Sequence, residues 1–359
     1  VPTYRPDLER IPVYRPGKPI DEVSRELGLD DIAKLASNES PYPPFPEVQR
    51  VVAEHAAGLN RYPENSGYRL VTDLAAHLGV EFDEVWLGAG STQILLCTAL
   101  AVGGPGTSAV FADPSFVMYP IATLISGAEP IRVPLDGDLR IDLDALAAAV
   151  REDTTVVYLC NPNNPTGTYL PATAVARVLD RIPERVLVVV DEAYHEYVTA
   201  EDHATAVPLA RERRNVLVTR TFSKIYGLAG LRIGYGVAAA ETITALRRTQ
   251  VPFAANSLAQ VAAQEALRHD ELVTERRKLN AVGREEIERA LAARGLRFAP
   301  SQANFVAVEF GADAPAIADQ LLRLGVIVRP LGDLVRVTVG TAAENARLLA
   351  ALDRVATER

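Results

Sequence analysis

The sequence predicts an α/β protein in which a mainly parallel, seven-stranded sheet flanked by helices is joined to a smaller α+β domain. Three observations carry that expectation. Seven short β-rich runs, at 85–87, 108–112, 130–135, 155–160, 186–190, 216–219 and 233–237, recur through the middle of the chain with helical patterns between several of them. Strands that alternate with helices build parallel sheets. The run Val-Leu-Val-Val-Val that leads into Asp191 is apolar at every position, as a strand covered on both faces must be. Beyond residue 270 the alternation ends, and a long helical pattern at 270–294 leads into a different order of elements.

Taken in order, the first twenty residues hold five prolines, which argue against a regular helix and for an extended arm lying on something else, with the small domain as its expected support. Helical spacing follows at 47–59, 67–78 and 91–102, and again at 143–150 and 172–179 between the β-rich runs. Helices are expected at 257–268 and 270–294. The remainder reads as strand 305–310, helix 314–324, strands 326–329 and 335–339, and helix 342–356. These readings divide the chain into residues 1–40 (arm and part of the small domain), 41–270 (large domain) and 271–359 (small C-terminal domain).

Composition narrows the class. The length of 359 residues corresponds to roughly two domains. Hydrophobic residues at 48% and charged residues at 23% fit a folded globule rather than a disordered chain. Lys plus Arg at 37 against Asp plus Glu at 46 gives a net charge of −9, which opposes general binding to nucleic acid or anionic membranes but leaves room for a small basic pocket. The apolar runs are strand-sized rather than membrane-sized, and the N-terminal segment has no apolar signal core. A cytoplasmic enzyme is therefore the expected class. Cys97 and Cys160 are too few for a disulfide framework, and the five histidines show no metal-ligand spacing, so no metal is expected. Ser91 has no serine–histidine–aspartate company. Cys160, Met118 and Tyr119 read as core packing, and Glu285, Glu286 and Glu288 as a solvated helix face.

Four segments at strand ends carry chemistry. Gly88-Ala89-Gly90-Ser91-Thr92 follows a strand and opens a helix, where free N–H groups suit an anion, although a plain capped turn reads the same. Asn161-Pro162-Asn163-Asn164-Pro165-Thr166-Gly167 is dense in turn formers, yet it lies beyond a strand's carboxyl end, where open α/β sheets place ligands. Asp191-Glu192-Ala193-Tyr194 ends the buried apolar run, so its carboxylate needs a helix cap, an arginine or a cationic ring nitrogen as partner. Thr221-Phe222-Ser223-Lys224-Ile225-Tyr226-Gly227, with Arg232 beyond it, sets a lysine between hydroxyls in a strand-to-helix segment. A sequestered lysine is a candidate amine nucleophile, and Thr221, Ser223 and Arg232 together suit a phosphate dianion.

These four segments, in this order and at these distances, closely resemble the fold type I aminotransferases that use pyridoxal 5'-phosphate, and within them the histidinol-phosphate aminotransferase family. The likeness extends through Tyr14-Arg15-Pro16-Gly17-Lys18, Leu35-Ala36-Ser37-Asn38-Glu39, Asn60-Arg61-Tyr62-Pro63 and Arg336-Val337-Thr338-Val339-Gly340. The resemblance implies that Lys224 forms the internal aldimine and that Asp191 pairs with the protonated pyridine nitrogen. Tyr194 and Asn164 would bond the cofactor's phenolic oxygen, and Phe116 would stack on its ring. The backbone of Ala89 or Gly90, with Ser91, Thr221, Ser223 and Arg232, would hold the phosphate. Tyr62 would reach the phosphate of the other subunit of a homodimer. Arg336 would receive the substrate α-carboxylate, Arg329 the distal anion, and Tyr14 and Asn38 would line the substrate wall. The implied reaction is reversible, ping-pong amino transfer between L-histidinol phosphate and 2-oxoglutarate, giving imidazole-acetol phosphate and L-glutamate; its reverse serves histidine biosynthesis. Aromatic amino acid transamination, on phenylalanine or tyrosine, is the alternative, since related enzymes share most of these segments.

Overall fold

The computed structural model describes residues 2–13 and 17–357. Its strands are β1 (Ala33–Lys34), β2 (Val85–Gly88), β3 (Ser108–Asp113), β4 (Glu129–Pro134), β5 (Thr154–Cys160), β6 (Leu187–Asp191), β7 (Val216–Thr221), β8 (Gly234–Val237), β9 (Phe298–Ala299), β10 (Phe305–Glu309), β11 (Val326–Ile327), β12 (Arg329–Leu331) and β13 (Leu334–Thr338). The central sheet has seven strands in the order β2-β8-β7-β6-β5-β3-β4. Only β8 runs against its neighbours, pairing antiparallel with both β2 and β7. The carboxyl ends of the other six strands therefore share one edge.

Apolar residues alternate between two cores along β2, β3, β5, β6 and β7. Val188 and Val190 of β6 join one, with the helices Pro46–His55, Tyr68–Leu78 and Ser257–Ala266. Leu187 and Val189 join the other, with the helices Ser91–Val102, Met118–Ser126 and Ala240–Leu246. Burial on both faces is the reason the run before Asp191 carries no polar residue. A third core unites Leu35, Val306, Val308, Val335, Val337, Leu321 and Leu352 around the four-stranded antiparallel sheet β12-β13-β10-β9 and the parallel pair β1-β11. The helix Asp270–Ala293 ties the first core to the third: Val273 packs in one, Ile287 and Leu291 in the other.

Several local expectations change. The run 326–329 is not one strand. Residues 326–327 pair with β1, and the chain then turns at Val328, so that Arg329 enters an antiparallel hairpin with β13. The arm also rests elsewhere. Arg5 donates from Nη1 to Ile125 O and from Nη2 to Leu124 O, both at 3.0 Å, so residues near it lie on the helix Met118–Ser126 beside the central sheet. Ala33–Lys34 pair instead with β11, and Leu35 O accepts the N–H of Thr338 in β13 at 2.8 Å. Lys224 does not lead into an α-helix; it lies in the connection between β7 and β8, which holds only the 3-10 turn Ala229–Leu231. Glu288 departs from a solvated face: it is half-buried and accepts the N–H of Ser301 at 3.0 Å.

Candidate active site

The carboxyl-end edge of the central sheet opens into a cavity of ≈ 870 Å³, closed on its far side by the β12–β13 hairpin of the small sheet. That size falls within the range of small-molecule sites. Asn38, Ser91, Phe116, Asn164, Asp191, Tyr194, Thr221, Ser223, Lys224, Arg232, Arg329 and Arg336 all line it. Residues separated by as much as 298 positions (38 to 336) are thus brought to one hollow. Tyr14 lies outside the described residues.

On the floor, Asp191 ends β6 and is 1% exposed. The hydroxyl of Tyr119 donates to its Oδ2 at 2.9 Å, and the Ala193 N–H to its Oδ1 at 3.3 Å. Burial raises the carboxyl to about 6, and the Tyr119 hydrogen bond works in the opposite direction. Beside it, the Tyr194 hydroxyl accepts from Asn38 Nδ2 at 3.0 Å and Asn164 Nδ2 at 3.3 Å. Burial drives this phenol above its ordinary range. Asn38 adopts φ 53°, a left-handed backbone that asparagine tolerates better than most residues. That turn aims its carbonyl at Lys224 Nζ, 3.1 Å away.

The Lys224 amine sits 5.5 Å from the centre of the Tyr194 ring. Burial, with Arg336 and Arg232 nearby, lowers it to about 8, while Glu39 and Asp191 pull the other way. An amine so lowered is uncharged, and therefore nucleophilic, at a much lower pH than a surface lysine. The rate at which an aldehyde attaches to Lys224 in cofactor-free protein is expected to climb with pH up to about 8 and then level off, as followed by stopped-flow absorbance. A rate still rising steeply past pH 10 would show an ordinary lysine. The same shift raises stability with pH between 8 and 10.5, because there the unfolded chain binds more protons at this site than the folded one.

At one end of the cavity Thr221, Ser223 and Arg232 form a polar nook. Thr221 Oγ1 bonds Ser223 Oγ at 2.9 Å, and Arg232 Nη1 donates to Ser223 Oγ at 3.3 Å. Ser91 and Thr92 begin the helix Ser91–Val102, whose first N–H groups have no carbonyl acceptor within the helix. Glycine is required around the nook. A Cβ on Gly90 would come within 2.6 Å of Arg232 Nη2, and one on Gly234 within 2.5 Å of the Ser91 nitrogen. The two N–H groups expected from the sequence are committed elsewhere: Ala89 donates to Gln93 Oε1 at 2.8 Å and Gly90 to Gly88 O at 2.8 Å. The helix start at Ser91 is the available donor set.

At the other end, Arg329 and Arg336 occupy directly opposite positions on β12 and β13. A two-residue turn, Gly332-Asp333, with Gly332 at φ +59°, sets this register. Two guanidinium groups side by side on one face suit an anion. Arg336 is oriented by donating to Asn164 Oδ1 at 2.6 Å and Ala36 O at 2.7 Å. Tyr62 is apart from the cavity, 83% exposed and stacked on Phe253 at 4.6 Å. His195 is half-buried, bonded to His203 at 2.9 Å, and lowered to about 3 by burial and Arg220. Cys160 is a buried free thiol, pushed up to about 12 by burial.

The sequence reading passed over several residues of this site. Tyr119 read as core because tyrosine at helical spacing usually is; its polar partner lies 72 residues away. Asn304, which donates to Asn38 O at 3.2 Å, and Thr338, whose hydroxyl accepts the Asn38 N–H at 2.9 Å, stand 266 and 300 positions from Asn38; Thr338 belongs to the segment Arg336-Val337-Thr338-Val339-Gly340, but nothing local shows what it faces.

Comparison with known proteins agrees with this geometry. The family model described as aminotransferase class I and II matches residues 30–352. The fold and that match define the class: this is an aminotransferase of class I and II. Its relatives place the chain in the histidinol-phosphate aminotransferase family. Histidinol-phosphate aminotransferase 1 of Thiobacillus denitrificans is 44% identical over 98% of this chain and 93% of its own length. Histidinol-phosphate aminotransferase 1 of Cupriavidus pinatubonensis is 45% identical over 98% and 96%. The crystal structure of the Sinorhizobium meliloti histidinol-phosphate aminotransferase, in complex with pyridoxal 5'-phosphate, superposes with a TM-score of 0.90 at 32% identity, covering 99% of this chain and 98% of that one.

Proposed function

We propose that this aminotransferase moves an amino group between L-histidinol phosphate and 2-oxoglutarate, giving imidazole-acetol phosphate and L-glutamate. The observation that carries the reading is the layout of one cavity: a lowered lysine and a buried carboxylate between an anion nook and a cross-strand arginine pair. The identity of the relatives supports the same substrates.

The cofactor is pyridoxal 5'-phosphate, and the residues present fit it. The glycine-walled nook of Ser91, Thr221, Ser223 and Arg232 suits a phosphate dianion. Phe116 offers a ring face, and Asn164 and Tyr194 a polar pair for the phenolic oxygen. When bound, the cofactor supplies an electron sink for the charge left on the substrate α-carbon. Asp191, as the anion, would favour the protonated form of the cofactor's ring nitrogen. Lys224 Nζ would provide the point of covalent attachment and, as a free amine, would move the proton at the substrate Cα. Arg336 receives the α-carboxylate of glutamate in a two-pronged pair. Arg329 holds the distal anion: the phosphate of one substrate or the side-chain carboxylate of the other. One arginine pair thereby serves both halves of a ping-pong cycle.

The deciding experiment compares kcat/KM for histidinol phosphate and phenylalanine with 2-oxoglutarate as acceptor. Histidinol phosphate is expected to lead by more than about tenfold; an equal lead for phenylalanine would make the enzyme an aromatic amino acid aminotransferase. Arg329→Ala is expected to cost the phosphate substrate about 10²-fold in kcat/KM while sparing phenylalanine. Equal losses would remove the distal role of Arg329.

The protein works as a cytoplasmic homodimer on this reading, with Tyr62 reaching the phosphate in the partner subunit. The exposed stack of Tyr62 on Phe253 supports an interface there. Sedimentation equilibrium should give twice the chain mass, and Tyr62→Ala should weaken cofactor retention; a monomer with full cofactor affinity would refute it.

A further inference from the structure

The side chain of Tyr119 is 0% exposed, yet it keeps a hydroxyl where phenylalanine would fill the same space. Its ring lies flat on Tyr158, with centroids 4.7 Å apart and planes at 9°. Phe116 meets the same ring edge-on at 5.7 Å and 89°. The hydroxyl donates to Asp191 Oδ2 at 2.9 Å. One side chain thus touches both the ring-facing Phe116 and the carboxylate beneath. A buried hydroxyl costs free energy unless it is hydrogen-bonded, and here the partner that offsets the cost is the Asp191 carboxylate.

We infer that Tyr119 is a positioning residue for the cofactor ring: its hydroxyl keeps Asp191 aimed and ionised toward the ring nitrogen, and its aromatic face sets Phe116. This rests on the reading of Asp191 given above. A donor on Oδ2 favours the charged carboxylate over the neutral acid, because a carboxylate accepts more strongly. It also leaves the carboxylate one fixed orientation, since rotation of the side chain would break the bond. The Tyr119 hydroxyl acts only through Asp191, so the effect of removing it must depend on there being a protonatable nitrogen for Asp191 to meet.

That dependence supplies the test. Cofactor-free protein is titrated, by quenching of intrinsic fluorescence, with pyridoxal 5'-phosphate and with its 1-deaza analogue, in which the ring nitrogen is replaced by CH. Tyr119→Phe keeps the ring and removes one oxygen. It is expected to weaken binding of pyridoxal 5'-phosphate about tenfold, as loss of one hydrogen bond to a charged group does, and to leave the affinity for the deaza analogue unchanged. In an Asp191→Asn background the same substitution should add no further loss. Equal weakening for both compounds, no weakening for either, or a full loss persisting in the Asp191→Asn background would each overturn the inference and leave the proposed function standing. Wild-type protein that binds neither compound would overturn both.

Discussion

Replacing Lys224 with alanine is expected to lower kcat about 10⁴-fold, the upper range for removal of a positioned acid–base group. Lys224 Nζ lies within 3.1 Å of the Asn38 carbonyl and over the Tyr194 ring, in the cavity that also exposes Asp191 and Arg336. Among the described residues no other lysine lines that cavity. On the proposed function, alanine removes the amine that would attach the cofactor and shuttle the Cα proton. The measurement has two parts. Steady-state turnover should fall, and borohydride treatment should fix the cofactor to wild-type protein but not to the variant, as read by intact mass. Turnover within tenfold of wild type would exclude Lys224 from the chemistry.

The second large effect is expected from Asp191→Ala, which should lower kcat by about 10²–10³-fold, or about 3–4 kcal/mol in barrier, within the range for breaking a buried charge pair from one side. Asp191 is the residue at the end of β6 that approaches the cavity floor, and it is wholly enclosed. Without it, a ring nitrogen there gives up its proton and the electron sink weakens. The KM for glutamate should change far less than kcat, because Arg336 is held by Asn164 and Ala36 rather than by Asp191. A variant that loses KM and keeps kcat would show that Asp191 shapes the pocket without facing the ring nitrogen.

How much of this was legible beforehand follows from the range of each interaction. The helix Ser91–Val102 and the helix Ala172–Leu179 stand at the bounds that periodicity predicts, since a helix is written in contacts three and four residues apart. The strand before Asp191 was legible for a related reason: burial on both faces excludes every polar residue from it. The split of 326–329 into β11 and β12 was not, because four apolar or extended-compatible residues carry no sign of which sheet each will join. Nor was the commitment of the Ala89 N–H to Gln93, a side-chain bond that competes silently with a ligand.

The site divides along the same line. Lys224, Asp191, Asn164 and the Gly90-Ser91 turn announce themselves because each stands at a strand end beside unusual neighbours, and strand-end chemistry is local in the chain. Their convergence on one hollow, the opposition of Arg329 to Arg336 across a hairpin, and the bond from Tyr119 to Asp191 belong to the tertiary structure. Each depends on sheet order and hairpin register, which place side chains 7 to 172 positions apart within bonding or cross-strand reach. Local pattern determined which groups are reactive; long-range packing decided what they face, because a side chain's charge and strength are set by its surroundings in space rather than by its neighbours along the chain.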